Sequence, residues 1–137
     1  NLRSTDLQAF LGLRQMRKAE WVAQRRFENH LRYAQNLNGC VEFQNWRDHK
    51  PVSISFGALA NNTEHRQEIV ERLVENKVET RIFSAGNLGL HPFWTQRYGK
   101  FDDEMSNKIH SRGFFVPNYP ELTNEDIDFI CQVIKGE

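Results

Sequence analysis

The sequence predicts an α+β domain in which a small, mostly antiparallel sheet is covered by helices, with a long helical stretch at the N-terminus. Three observations predict it. Val52, Ile54, Phe56 and Ala58 alternate with Ser53, Ser55 and Gly57, the period-two pattern of a half-buried strand. Apolar residues recur every three or four positions across 16–37, 69–74 and 127–134, the period of helices that bury one stripe. The 137 residues, 39% hydrophobic and 12% aromatic, suffice for one core without disulfide or metal staples and exclude a disordered chain.

Thr5 and Gln8 stand in capping-box relation ahead of Leu7, Phe10 and Leu11, so a helix starts near Thr5 and is expected to bend or break around Gly12. Met16, Ala19, Ala23, Phe27, Leu31, Ala34 and Leu37 form the stripe of a second helix that stops near Gly39. Its outward arginines, among them Arg25, Arg26 and Arg32, read as a solvated face. After the strand over 52–58, Asn61, Asn62 and Thr63 offer N-caps to a helix with Ile69, Val70, Leu73 and Val74 inward and a Glu68–Arg72 pair. Asn76 and Lys77 end it. A second strand is expected over 78–84 and an irregular segment with Gly86 and Gly89 over 85–92. A helix over 102–111 and a strand over 113–117 follow. Thr123 with Asp126 caps a last helix whose stripe, Ile127, Ile130, Cys131 and Ile134, runs to Gly136. No repeat or boundary divides the chain, and 1–137 reads as one domain.

Eighteen Lys plus Arg against eighteen Asp plus Glu leave no net charge, which argues against a nucleic-acid partner. The apolar runs are too short for a membrane span and no signal-peptide pattern opens the chain, so the expected compartment is the cytoplasm. Cys40 and Cys131 belong to no short-spaced pair and read as buried thiols; the scattered histidines lack metal-ligand spacing, so no metal site is expected. No nucleotide-binding glycine motif, zincin helix or nucleophile elbow is present. The first residue is Asn1 and helix-start chemistry follows almost at once, which suggests a piece of something longer.

Two segments carry more than scaffold chemistry. Residues 1–6 put an amide, a guanidinium and two hydroxyls at the mouth of a helix, where free N–H groups and the positive dipole end favour a phosphate; alternatively Thr5 and Asp6 only cap the helix. Residues 79–87 are followed by His91 and Pro92. If Val78 and Ile82 face the core, Arg81 and Phe83 face away from it with Glu79, and Asn87 follows a glycine that lets backbone approach a ligand; alternatively this is a plain strand and its exit loop.

At these segments the sequence resembles the C-terminal part of the pyridoxal-phosphate-dependent nucleotide-sugar aminotransferases and dehydratases, the DegT-type family of the aspartate aminotransferase fold. Asn1-Leu2-Arg3-Ser4-Thr5-Asp6-Leu7-Gln8-Ala9 looks like the family's Asn-x-Arg-x-Thr-Asp-x-x-Ala. Glu79-Thr80-Arg81, Phe115-Val116-Pro117-Asn118 and Leu122-Thr123-Asn124-Glu125-Asp126-Ile127 extend the likeness over effectively the whole chain. The resemblance implies that this is the small second domain. The large domain, with the cofactor-stacking residues and the Lys that holds the cofactor covalently, or the His that replaces it in dehydratases, lies outside this chain, which then contains no catalytic residue itself.

Pyridoxal or pyridoxamine phosphate is the implied cofactor. Asn1 would reach across a homodimer interface to the cofactor phosphate of the neighbouring subunit, with Arg3 close by, and Arg81, Asn87 and His91 are candidates for the sugar-nucleotide side of the shared active site. Ala85-Gly86-Asn87 looks more like the 3-dehydratase branch than the His-x-Gln-Pro-like stretch of many aminotransferases. The implied reaction is therefore 3-dehydration of a nucleotide-linked 4-keto-6-deoxy sugar, in deoxysugar biosynthesis of the kind that serves lipopolysaccharide O-antigen. A sugar-nucleotide aminotransferase is the near alternative, and a non-catalytic binding domain retaining the fold is the second. No Cys precedes Cys40, where iron-sulfur members carry clustered cysteines, so no such cluster is implied. An enzyme piece should expose an apolar patch where its large domain packs; a free-standing module should not.

Overall fold

The computed structural model describes residues 3–46 and 48–137. Thr5 opens helix α1 (Asp6–Met16) with the expected capping box: its hydroxyl accepts from the Gln8 N–H at 3.3 Å, and the Gln8 side-chain oxygen accepts from the Thr5 N–H at 2.8 Å. The expected break at Gly12 does not occur. A glycine costs an exposed helix about 1 kcal/mol relative to alanine, which the turns on either side tolerate, and the chain turns instead at Arg17 and Lys18.

Helix α2 (Ala19–Asn36) buries Asn29, His30 and Tyr33 rather than the apolar stripe expected for it, of which Met16 is 70% exposed and only Leu37, just past the helix, is fully buried. Polar anchors choose the face. Asn29 Nδ2 donates to the Tyr119 carbonyl at 3.0 Å, the Tyr33 hydroxyl donates to the Pro117 carbonyl at 3.0 Å, and Asn118 Nδ2 donates to the Arg26 carbonyl at 3.2 Å. The arginines expected on a solvated face also dock: Arg25 donates to the Pro120 and Leu122 carbonyls, and Arg32 pairs with Asp128.

The sheet has order β1-β2-β3 and is antiparallel throughout, from β1 (Glu42–Phe43), β2 (Ser55–Leu59) and β3 (Gly113–Pro117). β3 occupies its expected span; β2 is later and shorter than expected. Its ladder begins with Ser55 opposite Pro117, a residue with no N–H to extend the pairing, so Val52 and Ile54 lie before the strand and are 41% and 75% exposed. The expected strand over 78–84 reduces to one bridge, Arg81 to Phe115. Ser84 at φ +39° and a Gly86 N–H to Phe83 carbonyl bond of 2.6 Å turn the chain out of extended geometry. The two-residue β1, a 3-10 turn at Leu88–Leu90 and helix α4 (Pro92–Tyr98) were not anticipated. α4 starts on Pro92, whose fixed φ suits a first helical position as well as it suits a loop.

Helix α3 (Thr63–Glu75) is capped by Asn62, whose Oδ1 accepts from the His65 N–H at 2.7 Å. It buries Ile69 and Leu73, while Val74 faces solvent. Arg72 does not form the expected pair with Glu68; it donates to the Val133 and Ile134 carbonyls at 3.0 and 2.8 Å, satisfying the open C-terminal end of α6 (Asn124–Lys135). α6 has the expected cap, stripe and stop, and α5 (Glu104–Arg112) runs straight into β3.

Phe56, Ala58, Phe114 and Val116 point from the sheet into a single core with Tyr33, Leu37, Ile69, Leu73 and the α6 stripe. The molecule is therefore the α+β domain expected, three helices against one sheet face. Cys131 is buried and its thiol is pushed up to about 11 by that burial; Cys40 is only half-buried, because it sits in the turn before β1 rather than in the core.

Candidate functional site

The opposite face of the sheet supports a cleft of about 690 Å³. Ile54 and Ser55 at the start of β2 form one side, residues 79–82 and Ser84 a second, and Phe115 to Tyr119 the floor and far end. The wall at 79–84 is held to the floor by side chains as well as by the Arg81–Phe115 bridge. Thr80 Oγ1 donates to the Phe115 carbonyl at 2.9 Å, and the Phe83 ring packs on Phe115 with centroids 4.2 Å apart. Phe83 can lie there because two glycines leave room: a Cβ at Gly57 would come within 2.7 Å of its ring, and a Cβ at Gly113 would overlap it.

Val78 packs against the core and Glu79 and Arg81 are exposed, as expected, but Ile82 and Phe83 depart from the expected facing. Ile82 is 52% exposed and Phe83 is half-buried, because the single bridge at Arg81 and the turn at Ser84 impose no strand alternation beyond it. Arg81 is exposed on the cleft wall and pairs with Glu79 at 2.8 Å. The cleft is mostly apolar with an Arg81–Glu79 ion pair at its edge, so it suits a ligand that is largely uncharged surface and whose anionic part competes with Glu79 for the guanidinium.

Asn87, by contrast, is 3% exposed and occupied. Its Nδ2 donates to Asn107 Oδ1 at 2.7 Å and to the Phe101 carbonyl at 3.3 Å, and its Oδ1 accepts from the Gly89 N–H at 2.8 Å. His91 is half-buried with Nε2 at 2.7 Å from the Ala85 carbonyl. Arg81, Asn87 and His91 thus lie on one stretch of chain, of which Arg81 alone lines the cleft.

Asn1 lies outside the described residues. Arg3 is exposed at the mouth of α1, and the cleft draws no residue from that helix. Arg3, the Ser4 hydroxyl and the first-turn N–H groups of α1 are donor chemistry that fits a phosphate, although the capping box already uses the N–H groups of Thr5 and Gln8. Among the described residues no three His, Cys, Asp or Glu side chains gather as metal ligands. Two residues the sequence did not single out, Asn107 and His110, hold the loop beside the cleft through Asn87. Gly86 was the available signal for His110, since a Cβ there would overlap its imidazole ring.

A three-stranded antiparallel sheet backed by helices, with a cleft on its free face and a phosphate-suited corner on a separate helix, defines a small α+β domain. The chain belongs to the DegT/DnrJ/EryC1/StrS aminotransferase family, whose model matches residues 1–135. It is 31% identical to lipopolysaccharide biosynthesis protein RfbH of Salmonella typhimurium over 95% of this chain and 32% of that protein. It is 30% identical to dTDP-4-dehydro-2,6-dideoxy-D-glucose 3-dehydratase of Saccharopolyspora spinosa over 98% of this chain and 30% of the relative. The chain thus spans about a third of the length of the curated relatives it matches. Its fold superimposes with a TM-score of 0.85 on a solved GDP-4-keto-6-deoxymannose-3-dehydratase with a trapped PLP-glutamate geminal diamine, at 18% identity, over 98% of this chain and 36% of that one. No helix among the described residues is long and apolar enough to cross a membrane.

Proposed function

We propose that this chain is the small C-terminal domain of a pyridoxal-phosphate or pyridoxamine-phosphate enzyme of deoxysugar biosynthesis that removes the 3-hydroxyl of a nucleotide-linked 4-keto-6-deoxy sugar. The observation that carries the reading is the match over nearly the whole chain to the family and, at 30% identity, to a relative named as a 3-dehydratase of a dTDP-linked 4-dehydro-2,6-dideoxy sugar. Ala85-Gly86-Asn87 supports the dehydratase branch. The aminotransferase alternative is favoured by the family's own description. The exposed apolar residues of α1, among them Leu7, Phe10, Leu11, Leu13 and Met16, speak for a missing domain and against a free-standing binding module.

In this reading Asn1 and Arg3 bind the cofactor phosphate of the neighbouring subunit, so the working unit is a homodimer, and a nucleotide-linked substrate places it in the cytoplasm. The bound cofactor supplies an electron sink for the carbon from which a proton is withdrawn. The residues of this chain bind and orient. Arg81 holds the anionic part of the nucleotide sugar, the apolar cleft excludes water from it, and Asn87 and His91 serve the same site by shaping the loop beside Arg81.

The test is the full-length protein, scanned for cofactor absorption and given nucleotide-linked 4-keto-6-deoxy sugars. The reading requires a bound chromophore and a 3-deoxy keto product; an amino sugar would establish the aminotransferase instead, and a colourless, inert protein would leave the binding module. Arg81→Ala is expected to raise KM roughly tenfold with a smaller change in kcat; an unchanged KM would remove Arg81 from the substrate side.

A further inference from the structure

The loop beside the cleft is stapled to α5 from the far side. The Asn87 backbone N–H donates to His110 Nδ1 at 3.2 Å, and Asn87 Nδ2 donates to Asn107 Oδ1 at 2.7 Å. Asn107 is itself oriented, because its Nδ2 donates to Asp102 Oδ1 at 2.5 Å. The loop is closed on itself as well: Gly89 N–H donates to Asn87 Oδ1, Phe101 N–H donates to the Gly89 carbonyl at 3.2 Å, and His91 contacts the Ala85 carbonyl. The imidazole of His110 lies where a side chain at Gly86 would be, which explains a glycine at that position beyond its φ of +61°.

α5 passes into β3 with no residue between Arg112 and Gly113. One continuous element therefore carries both the cleft floor, at Phe115 to Pro117, and the two side chains that hold the loop. The cleft wall at 79–84 is anchored to that element before the loop by the Arg81–Phe115 bridge, the Thr80 hydroxyl and the Phe83 ring, and the chain is anchored to it again by Asn87 within the loop. Between the anchors lie Ser84, at positive φ, and the tight turn closed by Gly86, where extended pairing contributes nothing to rigidity.

We infer that Asn107 and His110 are positioning residues, which act through Asn87 to fix the loop and hold the Arg81 wall at the spacing a bound nucleotide sugar requires. Neither touches the cleft, and His110 serves as an acceptor with Nδ1 unprotonated. This rests on the nucleotide-sugar reading above for its ligand but not for its staple.

The experiment uses the full-length protein. His110→Phe keeps a flat ring over Gly86 without the acceptor, His110→Asn keeps an acceptor near the position of Nδ1, and Asn107→Leu removes the amide at similar size. Hydrogen exchange across 84–91, measured without substrate, should rise at least several-fold in His110→Phe and Asn107→Leu and return toward wild type in His110→Asn. KM for the nucleotide-linked keto sugar should rise roughly tenfold in the first two, with kcat within about twofold, and recover in His110→Asn. Unchanged exchange overturns the staple. Raised exchange with unchanged KM overturns the positioning role. A wild-type protein that binds no nucleotide sugar by calorimetry overturns the functional reading and the positioning role together, while exchange still decides the staple.

Discussion

His30 is 8% exposed and, among the described residues, neither ring nitrogen has a hydrogen-bond partner. Its ring meets Trp46 edge-on at 4.7 Å and Phe56 at 4.9 Å, so it sits in an aromatic nest that offers no acceptor for an imidazolium. Burial accordingly lowers its pKa below the ordinary 6.5. The unfolded chain then binds a proton that the folded one refuses, and stability is full above about pH 6.5 and falls as the pH drops through and below it. Urea midpoints of the full-length protein at pH 8 and pH 5.5 should differ more in wild type than in His30→Leu. Equal losses would show that His30 finds a partner on protonation. Nothing in the sequence marked this histidine, one of five. Its isolation depends on rings from β2 and from the stretch after β1, which only the tertiary fold brings against α2.

At the scale of elements, the junction of α5 and β3 leaves no room for a side chain at Gly113. A Cβ at Gly113 would lie 2.5 Å from the Ile109 carbonyl oxygen, which is backbone, and would also meet Phe83. The nearest atoms to a Cβ at Gly57 would belong to the rings of Phe83 and Phe115, which can turn. Gly113→Ala should therefore cost about 3 kcal/mol and Gly57→Ala about 1, at the two ends of the range for overpacking. Thermal unfolding of the two variants checks the order, and equal losses would mean that the helix end yields as easily as a ring. The N-termini of α1, α3 and α6 were legible because Thr5, Asn62 and Thr123 act within one turn of chain. Residues 78–84 were not, since apolar alternation alone cannot show that the segment finds one bridging residue on β3 and then a turn.

For the molecule as a whole, α1 is the element without a reason inside this chain. It buries none of its residues and shows Leu7, Leu13 and Met16 at 67, 67 and 70% exposure. An 11-residue helix with a cap and no packing is marginal in water. Expressed alone, the 137-residue chain should exchange its α1 amides within the dead time of a manual experiment while α6 stays protected. In the full-length protein α1 should be protected as well. Slow exchange of α1 in the isolated chain would mean that it needs no covering domain.

Local chemistry in the sequence by itself determined the helix caps, the strand at Gly113–Pro117, the α6 stripe, the α+β class and the family likeness, because each rests on neighbours within a few residues or on motifs read in order. Only the tertiary structure decided which face of α2 is buried, that Arg72 closes α6 and that Phe83 rather than Ile82 turns inward. The same holds for Asn87, which is held by α5 from inside the loop. Those outcomes depend on which carbonyls, rings and glycines arrive from distant parts of the chain, and a buried polar group takes the partner that is within reach, whatever its sequence neighbours suggest.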